Sequence, residues 1–229
     1  MITRSILLGI LVLVTVDLVH GQVNRFDIGL EGGPSRTFLG GNTLIDDLHE
    51  PTLGYSGGVF AQFNFRKILS LRTSIAFERK GSVMQLPFTD INGSLIDNVS
   101  AYTNFNYLTM PLLLRATFGK NVQYYVNAGP YWGYLLKQTF VIKGSHLPDT
   151  TSDNTALDKR SDMGISAGVG LAFPINSDLS ISIEARHNLG MYNVSAVPVI
   201  DDGAIRTNST NLLCGLAYKF GVRASPDGE

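Results

Sequence analysis

The sequence predicts an all-β fold: an eight-stranded antiparallel up-and-down transmembrane β-barrel with four long outer loops and short periplasmic turns. Three observations lead there. Residues 162–189 form two strictly alternating runs around a short turn at 174–178. The connections between predicted strands alternate in length, long then short, along the whole chain. Aromatic residues beside the short turns share the parity of the apolar face.

In the first run Met163, Ile165, Ala167, Val169, Leu171 and Phe173 share one face, and Asp162, Gly164, Ser166, Gly168, Gly170 and Ala172 the other. In the second, Leu179, Ile181, Ile183, Ala185, His187 and Leu189 alternate with Ser180, Ser182, Glu184, Arg186 and Asn188. Period-two alternation defines a strand with one apolar and one polar face. Each run is about a dozen residues, longer than the ~5–6 usual in soluble strands and close to the ~9–11 tilted residues that cross a bilayer. A soluble sandwich would bury the apolar face. A small membrane barrel turns it to lipid and keeps the polar set in its lumen.

Residues 1–21 have the form of a signal peptide: Arg4 in a short positive segment, an uncharged apolar run over 6–16, and Val19-His20-Gly21 at a cleavage site. The expected division is therefore a leader over 1–21 and an outer-membrane barrel domain over 22–229. The apolar run is shorter than the ~20 residues of a membrane-spanning helix. Removing Arg4 and Asp17 leaves the net charge at −1, without the basic patch of a nucleic-acid binder. Cys214 is the single cysteine, so no internal disulfide or thiolate metal cluster is available. Charged residues are 16% of the chain, against ~25% in soluble domains.

The strands follow in order. Phe26, Ile28 and Leu30 alternate with Asp27, Gly29 and Glu31 in the first, and residues 32–52, polar and glycine-rich, read as a long loop. The second strand spans 53–65; Arg66-Lys67 separate it from the third, 68–80. Residues 81–101 form the next long connection, whose Asp90-Ile91-Asn92-Gly93 is a turn signal, so it can prolong its strands as a hairpin. The fourth strand spans 102–118, with Pro111 marking a bulge or an unpaired position. Gly119-Lys120-Asn121 turn into the fifth, 122–137, which carries Tyr124, Val126, Ala128, Pro130 and Trp132 on one face. A loop over 138–160 leads to the alternating hairpin, a loop over 193–207 follows it, and the eighth strand spans 210–220. Phe65, Phe118, Tyr124, Phe173 and Phe220 then lie beside the short turns or at the last strand's end with lipid-facing parity, as a girdle at one membrane interface. Phe77, Trp132 and Tyr55 have the same parity near the other rim.

Five segments in order, LSLRTSIAFERKG (69–81), NYLTMPLLLRATF (106–118), VNAGPYWGYLL (126–136), DMGISAGVGLAF (162–173) and ISIEARHNLGMYNV (181–194), resemble the PorT-like outer-membrane β-barrel family of Gram-negative bacteria. His187 stands where that family usually has Tyr. The resemblance covers essentially all of 22–220 and implies a barrel fold and an outer-membrane location. A few family members belong to secretion or assembly machinery, so it implies no single activity. The ending from Gly215 to Phe220 resembles the signal by which barrel-assembly machinery recognises a last strand.

Parity sends Arg72, Glu78, Lys80, Arg115, Asp162, Glu184, Arg186 and Lys219 into the lumen. Eight strands leave room only for side chains, and desolvated charges need partners. The third and seventh strands are opposite in the ring, so Arg72 and Glu184 are expected to be able to meet. A conducting or proton-relaying channel is the alternative to this packed polar core. Of the histidines, His20 lies in the leader, His49 and His146 in separate long loops, and His187 outward near the upper rim. A lipid-modifying enzyme would pair His187 with a serine, of which Ser195 is a distant candidate; no nucleophile-elbow sequence accompanies it. Asp46-Asp47 and Asp201-Asp202 carry oxygen ligands of the kind calcium takes, without EF-hand spacing. The expectation is thus a non-enzymatic barrel whose loops serve binding, adhesion or assembly, with no catalytic, metal or cofactor site. The alternatives are an outer-membrane lipid-modifying enzyme and, less favoured by the charged lumen, a soluble lipocalin-like carrier. Expected partners are outer-membrane lipid, the assembly machinery during insertion and an unknown surface partner, with no nucleic acid.

Overall fold

The computed structural model describes residues 26–89, 91–93, 95–144, 148–199 and 203–220. The predicted leader, His20, His146, Asp201-Asp202 and the tail after Phe220 lie outside the described residues. The elements are β1 (Phe26–Gly40), a short helix α1 (Thr43–Leu48), β2 (Glu50–Asn64), β3 (Leu69–Thr89), β4 (Leu95–Phe118), β5 (Gln123–Lys143), β6 (Thr150–Asp153), a 3-10 turn (Thr155–Leu157), β7 (Ser161–Pro174), β8 (Leu179–Gly190) and β9 (Arg206–Phe220).

Eight of these strands close into one antiparallel ring, β1-β2-β3-β4-β5-β7-β8-β9, because β9 pairs back on β1 from Phe26↔Phe220 to Gly40↔Arg206. A closed ring leaves no strand edge, which lipid requires since it cannot hydrogen-bond exposed backbone groups. The short β6 lies outside the ring and pairs with the outer end of β5. The eight predicted strands and the short turns after β2, β4 and β7 are all present.

The side-chain alternation is that of a membrane barrel. Ile181 and Ile183 are 44% and 45% exposed, whereas Glu184 and Arg186, next along the same strand with the opposite parity, are 2% and 4% exposed. Ile28, Leu30, Val59, Ile75, Leu114, Val126, Val169 and Leu216 also face outward. Apolar groups outside and charges inside invert the order of a soluble sandwich, and the charge-filled lumen is unlike the apolar cavity that the lipocalin-like alternative needs. The predicted girdle residues Phe65, Phe118, Tyr124, Phe173 and Phe220 are exposed near the short-turn end. Phe26 joins them, with its ring 5.0 Å from that of Phe63. Tyr55 and Trp132 are exposed toward the other rim, where Tyr55 stacks on Phe77 at 5.8 Å.

Several boundaries differ from the sequence reading. Residues 32–40 and 50–52 belong to β1 and β2, not to a loop, and Thr37 pairs with both Thr52 and Ser209. Residues 81–89 and 95–101 extend β3 and β4 as a hairpin to Thr89↔Leu95, as the turn signal suggested, with Gly93 supplying the positive φ. Residues 138–143 extend β5, and β9 starts at Arg206 rather than 210. The reason is common to all: above the lipid belt the outward face need not be apolar, so alternation fades while the backbone ladder continues. At Pro111 the β3–β4 ladder is interrupted between Thr73↔Leu112 and Ala76↔Thr109 without a change of register. Pro111 is therefore unpaired toward β3 and not a bulge, while it stays opposite Tyr131 in the β4–β5 ladder. A register shift does occur in β4–β5 at Asn106/Tyr107; beyond it inward parity passes from Leu135 to Gln138, both buried.

Candidate functional site

The lumen is built in layers. Nearest the outer mouth, Leu39, Phe105, Tyr107, Leu135 and Val194 form a buried apolar cluster, with Ile45 of α1 and Ile205 packed against it. Val194 belongs to the loop between β8 and β9, which folds over the mouth. It is held there by bonds from Lys159 N to Val194 O (2.7 Å), Ala196 N to Leu157 O (2.9 Å) and Val194 N to Ile205 O (2.8 Å). Two long outer loops are thereby zipped together into an apolar plug.

Beneath the plug lies a first charged layer. Lys80 Nζ donates to Asp162 Oδ2 at 3.1 Å and stands over the Tyr131 ring at 4.5 Å. Tyr131 Oη (3.1 Å) and Thr207 Oγ1 (2.7 Å) donate to the same carboxylate oxygen. Glu78 accepts from Asn188 at 3.1 Å, Ser209 at 2.6 Å and Asn211 at 3.1 Å.

A second layer crosses the middle of the ring. Glu184 accepts from Arg115 Nη2 (2.8 Å), Tyr125 Oη (3.0 Å), Asn127 Nδ2 (3.1 Å) and Arg186 Nε (2.6 Å). Glu31 accepts from Arg186 at 2.9 Å and from Arg72 at 2.5 Å. The β7 glycines make room for this layer: a Cβ at Gly168 would come within 2.9 Å of Glu184 Oε1, and one at Gly170 would collide with the Tyr125 ring. The guanidinium of Arg72 lies 3.4 Å over Phe60 and that of Arg115 3.8 Å over Tyr125.

Every charge that parity sent inward is in the lumen, with Lys219 half-buried at its inner end. The expected meeting of Arg72 with Glu184 does not occur. Arg72 bonds Glu31, and Glu184 is filled by Arg115 and Arg186. Two carboxylates were missed, Asp27 and Glu31, both buried. Their parity opposite Phe26, Ile28 and Leu30 was the signal that could have found them.

Below the second layer a cavity of about 230 Å³ opens at the short-turn end, its lining running from the turn residues Arg66, Lys67 and Ile68 inward to Arg72 and Arg115. Asp27 accepts there from Gln62 (3.1 Å) and Asn64 (3.3 Å).

The enzymatic candidates are not brought together. Ser195 Oγ donates to Val197 O at 2.7 Å, and His187 Nδ1 meets Thr210 Oγ1 at 2.9 Å, so these two residues form no Ser–His pair. His49 closes α1 against Ile45 O at 3.2 Å. Asp46 and Asp47 lie in α1, and among the described residues no three His, Cys, Asp or Glu side chains cluster as metal ligands. In the outer loops, hydrogen bonds from Thr155 hold the Asp153 carboxyl below the usual range, whereas desolvation pushes Asp158 up to about 6.

An apolar outer face, a closed ring, aromatic girdles and a packed polar lumen define an outer-membrane β-barrel. The family model described as outer membrane protein beta-barrel domain matches residues 19–196, and the chain belongs to that family; its location is the outer membrane. The sequence matches no curated protein. Among solved structures the chain is similar to Neisserial surface protein A (12% identity, 88% of this chain and 100% of that one, TM-score 0.44). It is also similar to Ail, the attachment invasion locus protein of Yersinia pestis (13%, 86% and 99%, TM-score 0.41), and to OprG of Pseudomonas aeruginosa (11%, 86% and 97%, TM-score 0.40). The fold rests on the strand pairing and the family match rather than on these scores.

Proposed function

We propose that this is a non-enzymatic barrel that works through its outer face, its loops and strand extensions binding a partner in adhesion or assembly. The observation that carries this is the β3–β4 hairpin, whose ladder continues to Phe88↔Asp97, closes at Thr89↔Leu95 after a one-residue shift and presents Ile91 fully exposed at its tip. A ladder prolonged this far builds a rigid platform for a contact, and function concentrates on such loops. The plug and the two charged layers support a lumen that is a scaffold and not a passage. From the five ordered motifs we further infer the PorT-like branch of the family, and from the ending at Phe220 insertion by the barrel-assembly machinery.

The test is site-directed. A photo-cross-linker placed at Ile91 on intact cells should yield a discrete adduct, and one at Ile175 in the opposite turn should not. Trimming the hairpin at the Gln85–Ser100 pair, which is joined by a 2.9 Å side-chain bond, should leave a folded barrel without partner binding. Unchanged surface binding by the trimmed barrel would overturn the reading.

A further inference from the structure

We propose that the cavity at the inner end of the lumen binds a phosphate-class oxyanion, either free phosphate or the headgroup phosphate of an inner-leaflet phospholipid. This site faces the periplasm and is independent of any surface partner.

The first argument is charge. In the middle layer three guanidiniums, Arg72, Arg115 and Arg186, share two carboxylates, Glu31 and Glu184. All five side chains are more than nine-tenths buried. Below them Asp27 and Lys219 offset one another in sign, so the surplus on the cavity side is positive, while Lys80 with Glu78 and Asp162 leaves a negative surplus in the layer above. The turn residues Arg66 and Lys67 at the mouth have the same sign. The balancing negative charge stands in the layer on the far side, so an anion entering the cavity would meet the cationic side of an uneven distribution.

The second argument is unfilled donors. Arg72 and Arg115 bond their carboxylates through Nη2, while the Nε groups of both, and the hydroxyl of Ser70, have no partner among the described residues. These groups are neighbours: Ser70 and Arg72 are two apart on one face of β3, and Arg115 of β4 stands directly opposite Ser70. All three residues line the cavity and are at most 5% exposed. Phe60 and Tyr125 hold the guanidinium planes from one side, so the donors are set before a ligand arrives. Buried N–H groups without acceptors are rare, and guanidinium edges are well suited to phosphate oxygens. The cavity has room for a phosphate group, and it opens at the short-turn end.

The experiment uses the folded barrel in a phosphate-free sugar detergent, with arginine side-chain Nε–H signals followed by NMR. One arm titrates inorganic phosphate, and a second adds phosphatidylglycerol to the micelle. Chloride at equal ionic strength is the control. The Arg72 and Arg115 signals should move saturably in at least one arm and not with chloride. A response to both or to phosphate alone assigns free phosphate as a sufficient ligand; a response to the lipid alone assigns the headgroup. Ser70→Ala and Lys219→Gln, which leave the Arg–Glu network in place, should each weaken binding about fivefold, as loss of one hydrogen bond or nearby charge implies. Absence of a saturable shift in both arms, or binding unaltered by both substitutions, would overturn the proposal.

Discussion

Removing the Glu184 carboxylate should destabilise the barrel more than most single changes, because that group receives four donors from three strands. Arg186 would keep Glu31, but Arg115, 5% exposed, has Glu184 as its one ion-pair partner among the described residues. Breaking a buried pair from one side costs ~3–5 kcal/mol, because the remaining charge stays desolvated. Glu184→Ala should therefore lose about that much, and Glu184→Gln, which retains the shape and part of the bonding, about 2 kcal/mol. Replacing both partners, as in Glu184→Leu with Arg115→Met, should recover a large share of the loss, since no lone charge is left. Reversible denaturant unfolding in lipid vesicles measures these differences. Trp132 is the chain's single tryptophan and sits on the lipid-facing side, so its fluorescence follows insertion directly. A Glu184→Ala loss below about 0.5 kcal/mol, within the range of an ordinary surface substitution, would refute the view that the middle layer holds the ring together. Strict additivity of the double variant would do the same.

Two further outcomes follow from the plug. Asp158 has a folded pKa of about 6, above the ~3.9 of an exposed aspartate, so its folded form favours the proton. Its contribution is full below about pH 4 and is lost as pH rises through 6. Exchange protection of the Lys159 and Ala196 amides, which zip the loops, should therefore be greater at pH 5 than at pH 7 once intrinsic rates are divided out, and Asp158→Asn should flatten that dependence. Planar-bilayer recordings of the folded protein should show no stable large channel; a reproducible porin-like conductance would contradict the closed mouth.

The membrane-embedded half of the fold was legible because lipid imposes a strict rule on it. Where strands cross hydrocarbon, as at 163–173 and 179–189, every second residue must be apolar, and parity alone assigned Glu184 and Arg186 to the lumen. The partners of those charges were not legible. Pairing across the ring depends on stagger between strands far apart in sequence, and the expected Arg72–Glu184 contact failed because Glu31 reaches Arg72 from two strands away. The extensions of β1 and β2 were missed because the inward Ser35 and Thr37 are polar and alternate with Pro34 and Arg36 after Gly32-Gly33, so the apolar period is broken there. The plug was missed as well, since Leu39, Phe105, Leu135 and Val194 come from four separate segments. A register shift on β5 further reversed the parity that would have linked Leu135 to Gln138.

The face assignment is the claim on which the rest depends, and cysteine labelling along β8 tests it most directly. Cys214 is exposed on the same outer surface and is first replaced by Ser. Single cysteines at Leu179, Ile181 and Ile183, and separately at Ser180 and Ser182, are then spin-labelled in the reconstituted barrel. A lipid-phase relaxation agent should reach the labels at 179, 181 and 183 and miss those at 180 and 182. Equal shielding of both sets from lipid would mean that the apolar face packs against protein, and the barrel would then not be a membrane barrel.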